Sequence, residues 1–99
     1  MKNFQMSFTQ RVLGVVKKIP KGKTLSYKQV SERAGVIGAS RAVGTIMSGN
    51  TDKSIPCHRV VKSDGSIGGY NGLRGKNIKM NLLKKEGVMF TKSGKVLRD

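Results

Sequence analysis

The chain contains a single cysteine and a single histidine, which lie side by side as Cys57 and His58. One thiol cannot form an internal disulfide, and one Cys with one His cannot complete a tetrahedral zinc site. The 99 residues must therefore fold on a hydrophobic core, and a chain of this length has room for one modest core. We expect a single domain over residues 1–99. The thiol in it is either a small buried hydrophobe or a nucleophile.

The charge of the chain is strongly unbalanced, with 20 Lys and Arg against 5 Asp and Glu and a net charge of +15. Such a charge is typical of ribosomal proteins, membrane-surface binders and nucleic-acid enzymes alike. The lysines are spread along the chain rather than gathered in a tail, which favours a phosphate-contacting face on a folded domain. The sequence therefore predicts a nucleic-acid partner.

The sequence contains no recognisable membrane or export segment. No apolar run approaches the roughly 18 residues that span a bilayer, and the N-terminus lacks the apolar core of a signal peptide. An unpaired thiol is typical of a reducing compartment. We expect a cytoplasmic protein (intracellular, and nuclear if the source is eukaryotic) without a membrane partner.

The first third of the chain repeats one helix-start signal. Ser-x-x-Gln capping boxes at Ser7–Gln10 and Ser26–Gln29 each precede apolar residues at helical spacing. Pro20 should stop the first helix and Gly35 the second. Two short helices are therefore predicted in this part of the chain.

A third helix is predicted from about residue 38 to 48, and with the second it forms a helix-turn-helix over about residues 26–49. Its only charged residue is Arg41. Long polar side chains that read the major groove are missing, so its small residues either approach a narrow groove closely or only allow tight helix packing. Both readings stay open. The residues expected to face inward are Ala42, Val43, Ile46 and Met47.

The second half of the chain adds a β element. Val60–Val61 and Ser66–Gly68, joined by a two-residue turn at Asp64–Gly65, predict a β-hairpin that would serve as a wing. Helical spacing returns over 77–86, and a last small hairpin is expected over 88–99. The predicted fold class is a helix-rich α/β, winged helix-turn-helix-like single domain with a small β hairpin.

The single thiol can be interpreted as structural or catalytic. With an ordinary pKa of about 8.5 it is only a few per cent thiolate at neutral pH, so a nucleophile needs a nearby base or positive charge. A relay of Cys57, His58 and Glu86 would supply a base and a group that orients it. Neighbours in an extended strand point to opposite faces, so Cys57 and His58 cooperate only through a turn or a bridging water. Taken singly, each of these residues is more typical of a structural role.

The segment Ile55–Val61, which reads Ile-Pro-Cys-His-Arg-Val-Val, resembles the active-site signature of the O6-alkylguanine-DNA alkyltransferases (methylated-DNA–protein-cysteine methyltransferases). The resemblance extends from about Phe8 to Gly87, in the family's order and nearly its spacing. The further matching segments are Ser26-Tyr27, Arg41-Ala42-Val43-Gly44, Gly49-Asn50, Gly68-Gly69-Tyr70 and Glu86-Gly87.

The resemblance implies direct reversal of damage in double-stranded DNA that contains O6-alkylguanine. In the family the helix-turn-helix enters the minor groove, and the damaged base is flipped out because its O6 substituent is out of reach inside the duplex. The alkyl group would pass irreversibly to Cys57, once per molecule, without metal or cofactor. His58, acting through water, would be the base, with Glu86 behind it. Tyr27 would rotate the phosphate and protonate the guanine, and Asn50 would act as a hinge.

The resemblance also implies a DNA-contacting set and a pocket. Arg41 would fill the space that the flipped base leaves. Asn71 stands where the family often has a small residue such as Ser, so the range of alkyl groups accepted stays open. The implied DNA-binding residues are Arg41, Ala42, Gly44, Thr45 and Tyr27. The implied pocket residues are Val60, Gly69, Tyr70 and Asn71.

Several properties of the whole protein stay open at this stage. Many family members carry an N-terminal domain, whereas this chain begins almost directly at the active domain, and how that domain would be compensated is open. We expect a monomer in solution. Cooperative binding along DNA and any preference for guanine over thymine lesions are left open.

Two other functions compete with alkyl transfer. Non-enzymatic alkyltransferase-like proteins bind alkylated guanine for excision repair, and their mark is another residue, commonly tryptophan, at the place of Cys57. A winged-helix transcription regulator would need major-groove contacts, for which the third helix has the wrong residues. Replacing Cys57 with Ser separates these readings, since only an enzyme would lose a transfer reaction.

Overall fold

The structure, a computed structural model, describes residues 6–67 and 75–97. Within this part of the chain four α-helices, one 3-10 helix and a two-stranded sheet follow one another. Their bounds are α1 Phe8–Lys17, β1 Leu25–Ser26, α2 Tyr27–Arg33, α3 Ser40–Gly49, the 3-10 helix Cys57–Arg59, β2 Val60–Val61 and α4 Gly75–Lys85.

Both predicted capping boxes are present. The Ser7 hydroxyl accepts from the backbone N–H of Gln10 at 3.1 Å, and the Gln10 side chain accepts from the N–H of Ser7 at 2.9 Å. Ser26 and Gln29 repeat the pair at 3.0 and 2.9 Å. Each box satisfies two backbone donors that a helix start leaves unpaired. The predicted starts of α1 and α2 are therefore confirmed.

The third predicted helix is confirmed as α3, which starts two residues later than expected. Val43 and Met47 are buried and Ile46 is half-buried, as predicted. Ala42 is exposed, so its predicted inward orientation is wrong. Successive helix residues are turned by about 100°, and Val43 and Met47, four positions apart, take the inner face and leave Ala42 beside Arg41 on the outer one.

The pairing of β2 differs from the predicted hairpin. β2 runs parallel to β1, with Leu25 opposite Val60 and Ser26 opposite Val61. Both valines are fully buried, so their strand needs a partner inside the core. The residues just before α2 supply that partner.

A turn follows β2, but its central residues are Ser63 and Asp64 rather than the predicted Asp64 and Gly65. The N–H of Gly65 donates to the Lys62 carbonyl at 2.9 Å, and the N–H of Lys62 donates to the Ser66 carbonyl at 2.9 Å. Among the described residues that follow, Ser66 and Ile67 belong to no strand. The rest of the predicted hairpin, Gly68, lies outside the described residues.

The C-terminal part confirms a helix and a small hairpin. α4 is followed by Gly87, whose φ of +90° suits a residue without a Cβ. Phe90 and Val96 then form an antiparallel bridge, and the N–H of Val96 donates to the Gly65 carbonyl at 2.7 Å. The hairpin therefore rests on the turn that follows β2.

The buried residues form two clusters that meet at β2. Val60 packs with Cys57 and the residues of α1, α2 and α3, whereas Val61 packs against Leu83 of α4 and the C-terminal hairpin. Neighbouring strand residues point to opposite faces, so two adjacent valines can serve two clusters. The segment that carries Cys57 is thereby held between both. None of the helices in the described part of the chain is long and apolar enough to cross a membrane.

Candidate active site

Cys57 and His58 lie on one short 3-10 helix rather than on an extended strand. The turn begins after Pro56, whose carbonyl accepts from the N–H of Arg59 at 3.0 Å. A 3-10 turn places successive side chains about 120° apart, so both can border the same space. The irregular backbone that their cooperation requires is present.

Asn50, the first residue after α3, contacts the thiol directly. Its Nδ2 donates to Cys57 Sγ at 3.0 Å and to the Asp52 carbonyl at 3.0 Å, while its Oδ1 accepts from the N–H of Asp52 at 3.2 Å. The amide is therefore held from both ends and aimed at the sulfur. An N–H donor stabilises a thiolate more than a neutral thiol.

Burial raises the pKa of the Cys57 thiol, against the hydrogen bond from Asn50 and the charge of Lys79, which lower it. Only 6% of Cys57 is exposed. The thiol is therefore protonated at neutral pH, and its use as a nucleophile requires a base.

His58 is paired with Glu86 from the end of α4. Its Nε2 lies 3.0 Å from Glu86 Oε2. Hydrogen bonds from Arg59 and then His58 lower the Glu86 pKa to about 2 despite its burial. A carboxylate can only accept, so neutral His58 carries its proton on Nε2 and leaves the Nδ1 lone pair to accept another.

No direct hydrogen bond joins Cys57 to His58 in the described structure. Both residues line a groove of about 800 Å³, formed by the ends of α1 and α3, the segment 50–59 and Leu82. The groove is large enough for water to reach the thiol and the imidazole. The predicted transfer of a proton through water is compatible with this geometry.

Lys79 is a site residue that the sequence did not reveal. It is 1% exposed, its Nζ donates to the Tyr27 hydroxyl at 3.2 Å and lies 5.4 Å from the centre of the ring. Burial lowers the Lys79 pKa to about 8, and burial followed by the charge of Cys57 raises the pKa of Tyr27. Lys79 stands four positions before the buried Leu83, which was the only sequence signal that it faces inward.

The predicted DNA-contacting residues of α3 share its outer side. Arg41, Ala42 and Thr45 are exposed, and the Thr45 hydroxyl donates to the Arg41 carbonyl at 3.2 Å. A Cβ at Gly44 would meet nothing within 4 Å, so this side is open. Tyr27, the other predicted DNA-contacting residue, lies at the start of α2, is half-buried and accepts a hydrogen bond from Lys79.

The predicted pocket residues are only partly described. Val60 is fully buried in the cluster that includes Cys57. Gly69, Tyr70 and Asn71 lie outside the described residues. Among the residues that are described, no group of three or more His, Cys, Asp or Glu could hold a metal ion.

Fold and site together define a small helical domain with one buried thiol beside a His–Glu pair and a helix of small residues exposed nearby. The model of one family, "6-O-methylguanine DNA methyltransferase, DNA binding domain", matches residues 7–88. The chain belongs to this family.

Curated relatives carry a matching name. The chain is 48% identical over 82 residues to the methylated-DNA–protein-cysteine methyltransferase of Methanothermobacter thermautotrophicus, which covers 82% of this chain and 44% of the relative. To the human protein of that name it is 46% identical over 92 residues, which covers 91% of this chain and 44% of the relative. The chain therefore spans less than half the length of these relatives.

Two kinds of solved structure share the fold. Mycobacterium tuberculosis OGT in complex with DNA superposes with a TM-score of 0.76 at 39% identity, over 85% of this chain and 51% of that one. S. pombe Atl1 in complex with damaged DNA containing O6-carboxymethylguanine superposes with a TM-score of 0.79 at 28% identity. That match covers 97% of this chain and 93% of Atl1.

Proposed function

We propose that the chain repairs double-stranded DNA by moving the alkyl group of O6-alkylguanine irreversibly to Cys57. The observation that carries this proposal is a buried thiol that accepts a hydrogen bond from Asn50 beside the His58–Glu86 pair. The names of the curated relatives support it. No other nucleophile among the described residues has both a fixed donor and a neighbouring base.

The first step is the removal of the thiol proton. The Cys57 proton passes through a water molecule in the groove to Nδ1 of His58. Glu86 stabilises the resulting imidazolium through Nε2–H. The thiolate that remains is stabilised by the Asn50 amide.

The second step is displacement at the alkyl carbon. Cys57 Sγ forms a bond to the carbon, the bond from carbon to O6 breaks, and its electron pair stays on the guanine. The Tyr27 hydroxyl gives the guanine a proton, and the Lys79 ammonium 3.2 Å from the hydroxyl oxygen offsets the charge left on it. The product thioether is a poor leaving group in water, so each molecule acts once.

Access to the lesion requires base flipping. We assign a helix-turn-helix to about residues 26–49, with α3 in the minor groove and Arg41 in the vacated stack. Ala42, Gly44 and Thr45 let the helix approach the backbone closely, and the exposure of Ala42 and Thr45 together with the open space at Gly44 supports this role.

We further assign DNA contact and chemistry to one domain over residues 1–99, with 55–61 as its active-site segment. Val60 and the Gly69–Asn71 loop would line the pocket for the flipped base. The protein would act as a monomer. The assignment of the domain and that of the pocket rest on the proposed transfer reaction.

A second function is lesion binding without transfer. The likeness to Atl1 favours it, because it covers nearly the whole of both chains. Against it stands Cys57 itself, which is buried, hydrogen-bonded to Asn50 and next to a base. A lesion-binding protein has no need of that arrangement.

The test is an intact-mass spectrum of the protein after mixing with a short duplex that contains one O6-methylguanine, followed by peptide mapping. We expect one added methyl group per protein, located on Cys57, and none in Cys57→Ser, which should still bind the lesion. Tight lesion binding by the parent protein without a mass change would replace transfer by lesion recognition.

A further inference from the structure

The Arg59 side chain makes three hydrogen bonds near the site, and the proposed chemistry gives it no role. Its Nε donates to Glu86 Oε1 at 2.9 Å, and one terminal nitrogen donates to Glu86 Oε2 at 2.6 Å. The other terminal nitrogen donates to the Ile19 carbonyl at 2.7 Å. The guanidinium is thus fixed at three points, and its side chain is 16% exposed.

The two hydrogen bonds from Arg59 to Glu86, called the fork here, determine the orientation of the Glu86 carboxylate. Both carboxylate oxygens are occupied by Arg59, and Oε2 is shared with Nε2 of His58. The third hydrogen bond joins Arg59 to the backbone of Ile19, which lies in the segment after α1 and is 4% exposed. A bidentate arginine pair restricts the carboxylate to one plane, which a point charge such as an ammonium does not.

The same fork changes the electrostatics of the imidazole. A carboxylate beside His58 favours the imidazolium, and a guanidinium beside that carboxylate opposes it. An imidazole that is already protonated cannot accept the proton of Cys57. The charge of Arg59 therefore limits how firmly Glu86 can hold a proton on His58.

We propose that Arg59 is a positioning residue for alkyl transfer: it orients Glu86 toward His58 and keeps the imidazole free to take the thiol proton. This inference rests on the proposed function for its consequence in catalysis. Its geometric and electrostatic part concerns His58 alone and is measurable without DNA.

Other charged groups also face the site. Lys17 of α1, together with Asp52 and Lys53 of the segment after α3, lines the groove that His58 borders. Lys79 of α4 lies at Tyr27 and interacts with the charge of Cys57. These groups are the same in the parent protein and in a variant at position 59, so their influence cancels in a comparison of the two.

The first experiment is an NMR titration of the imidazole protons, which belong to His58 because the chain has one histidine. We expect Arg59→Met to move the midpoint upward by about 1 pH unit, since an unshared carboxylate then faces the ring. Arg59→Lys should move it less. The control Arg11→Met removes an equal charge from an exposed residue whose guanidinium donates to the Met6 carbonyl, and should leave the midpoint unchanged.

The second experiment measures single-turnover methyl transfer against pH, at saturating O6-methylguanine duplex. In Arg59→Met, the pH below which the transfer rate falls (the acid limb of the profile) should rise by the same amount as the titration midpoint. At high pH most of the rate should return. A purely structural role would instead lower the rate by one factor at every pH.

Each result bears on the proposal. Equal midpoints in Arg59→Met and the parent protein would overturn it, as would an acid limb that stays in place. If Arg59→Met does not fold, which thermal unfolding would reveal, the neutral variant Arg59→Gln replaces it, and a midpoint equal to that of the parent would overturn the proposal. A parent protein that transfers no methyl group would refute the proposed function, while the titration would still decide the role of Arg59.

Discussion

At the scale of single residues, the site combines a thiol and an ammonium that are both buried. Cys57 and Lys79 are each less than a tenth exposed, and their charges interact. Burying an ammonium costs free energy, because the charged form leaves water. The buried position of Lys79 therefore lowers the stability of the fold, and we explain it by the site.

Lys79→Met tests this interpretation. Burial lowers the Lys79 pKa from 10.5 to about 8, so its charge destabilises the folded state below pH 8, and the cost is relieved as pH rises from there toward 10.5. We expect the variant to be more stable than the parent at pH 7 by about 1–3 kcal/mol, with a smaller difference at pH 9.5. Urea unfolding at the two pH values measures both. An equal or lower stability at pH 7 would contradict the assigned cost.

The same variant should have a less reactive thiol. The charge of Lys79 lowers the pKa of Cys57, so its loss should raise that pKa further. The rate of Cys57 alkylation by iodoacetamide, measured against pH, reports the thiolate directly. We expect the alkylation of Lys79→Met to require a higher pH, whereas Lys84→Met, an exposed change on the same helix, should follow the parent protein.

Asn50→Ala should also reduce the reactivity of the thiol. The amide is the direct hydrogen-bond donor to Cys57 Sγ, and a bond to a charged acceptor contributes about 1.5–3 kcal/mol. We expect iodoacetamide to react about 10- to 100-fold more slowly at neutral pH. Thr51→Ala, at the exposed neighbouring position, is the control, and an equal loss there would indicate a general change of the segment.

At the scale of elements, the predictable features were the ones with local signals. The helix starts follow from Ser-x-x-Gln at Ser7 and Ser26, and both boxes form. The parallel pairing of Leu25–Ser26 with Val60–Val61 joins two-residue strands far apart in the chain, and two residues carry no periodicity that identifies a partner. The sequence therefore predicts that Val60 and Val61 pair across the nearest turn as a hairpin.

The candidate site likewise contains residues that the sequence indicates and residues that only the structure reveals. The relay of Cys57, His58 and Glu86 is predicted because these residue types define a chemistry, and the structure brings His58 to Glu86. Lys79 and Arg59 were missed because lysine and arginine are abundant in this chain and are exposed in most proteins. Their contribution depends on burial, which only the packing of α4 against the rest of the protein reveals.

The two capping boxes form a matched pair for measuring the contribution of each helix start. Ser7→Ala and Ser26→Ala each remove the hydroxyl that accepts from the third helical residue. We expect losses of unfolding free energy of about 1 kcal/mol, within the range of 0.5–2 kcal/mol for such changes. Ser26 is 3% exposed and also belongs to β1, so its loss should be the larger in urea unfolding. The reverse order would contradict the larger effect assigned to the buried cap.

At the scale of the whole molecule, the net charge of +15 should govern the proposed association with DNA. Each phosphate contact releases counterions, so affinity should fall steeply with salt. For undamaged duplex we expect a loss of roughly a thousandfold between 50 and 200 mM salt if about six phosphates are contacted. Fluorescence anisotropy at several salt concentrations measures the slope. An affinity that hardly changes over this range would contradict a phosphate-binding face.

The hydrogen bonds of Arg59 have a consequence for the chain during its synthesis. They join Arg59 to Ile19, which lies 40 positions earlier after α1, and to Glu86, which lies 27 positions later after α4. On the ribosome, Cys57 is made well before Glu86, so a nascent chain has its thiol without the carboxylate that pairs with His58. The proposed chemistry thus becomes possible only after Glu86 has been translated and the distant segments have met. A truncated product that ends before Glu86 would keep the thiol and lack the relay.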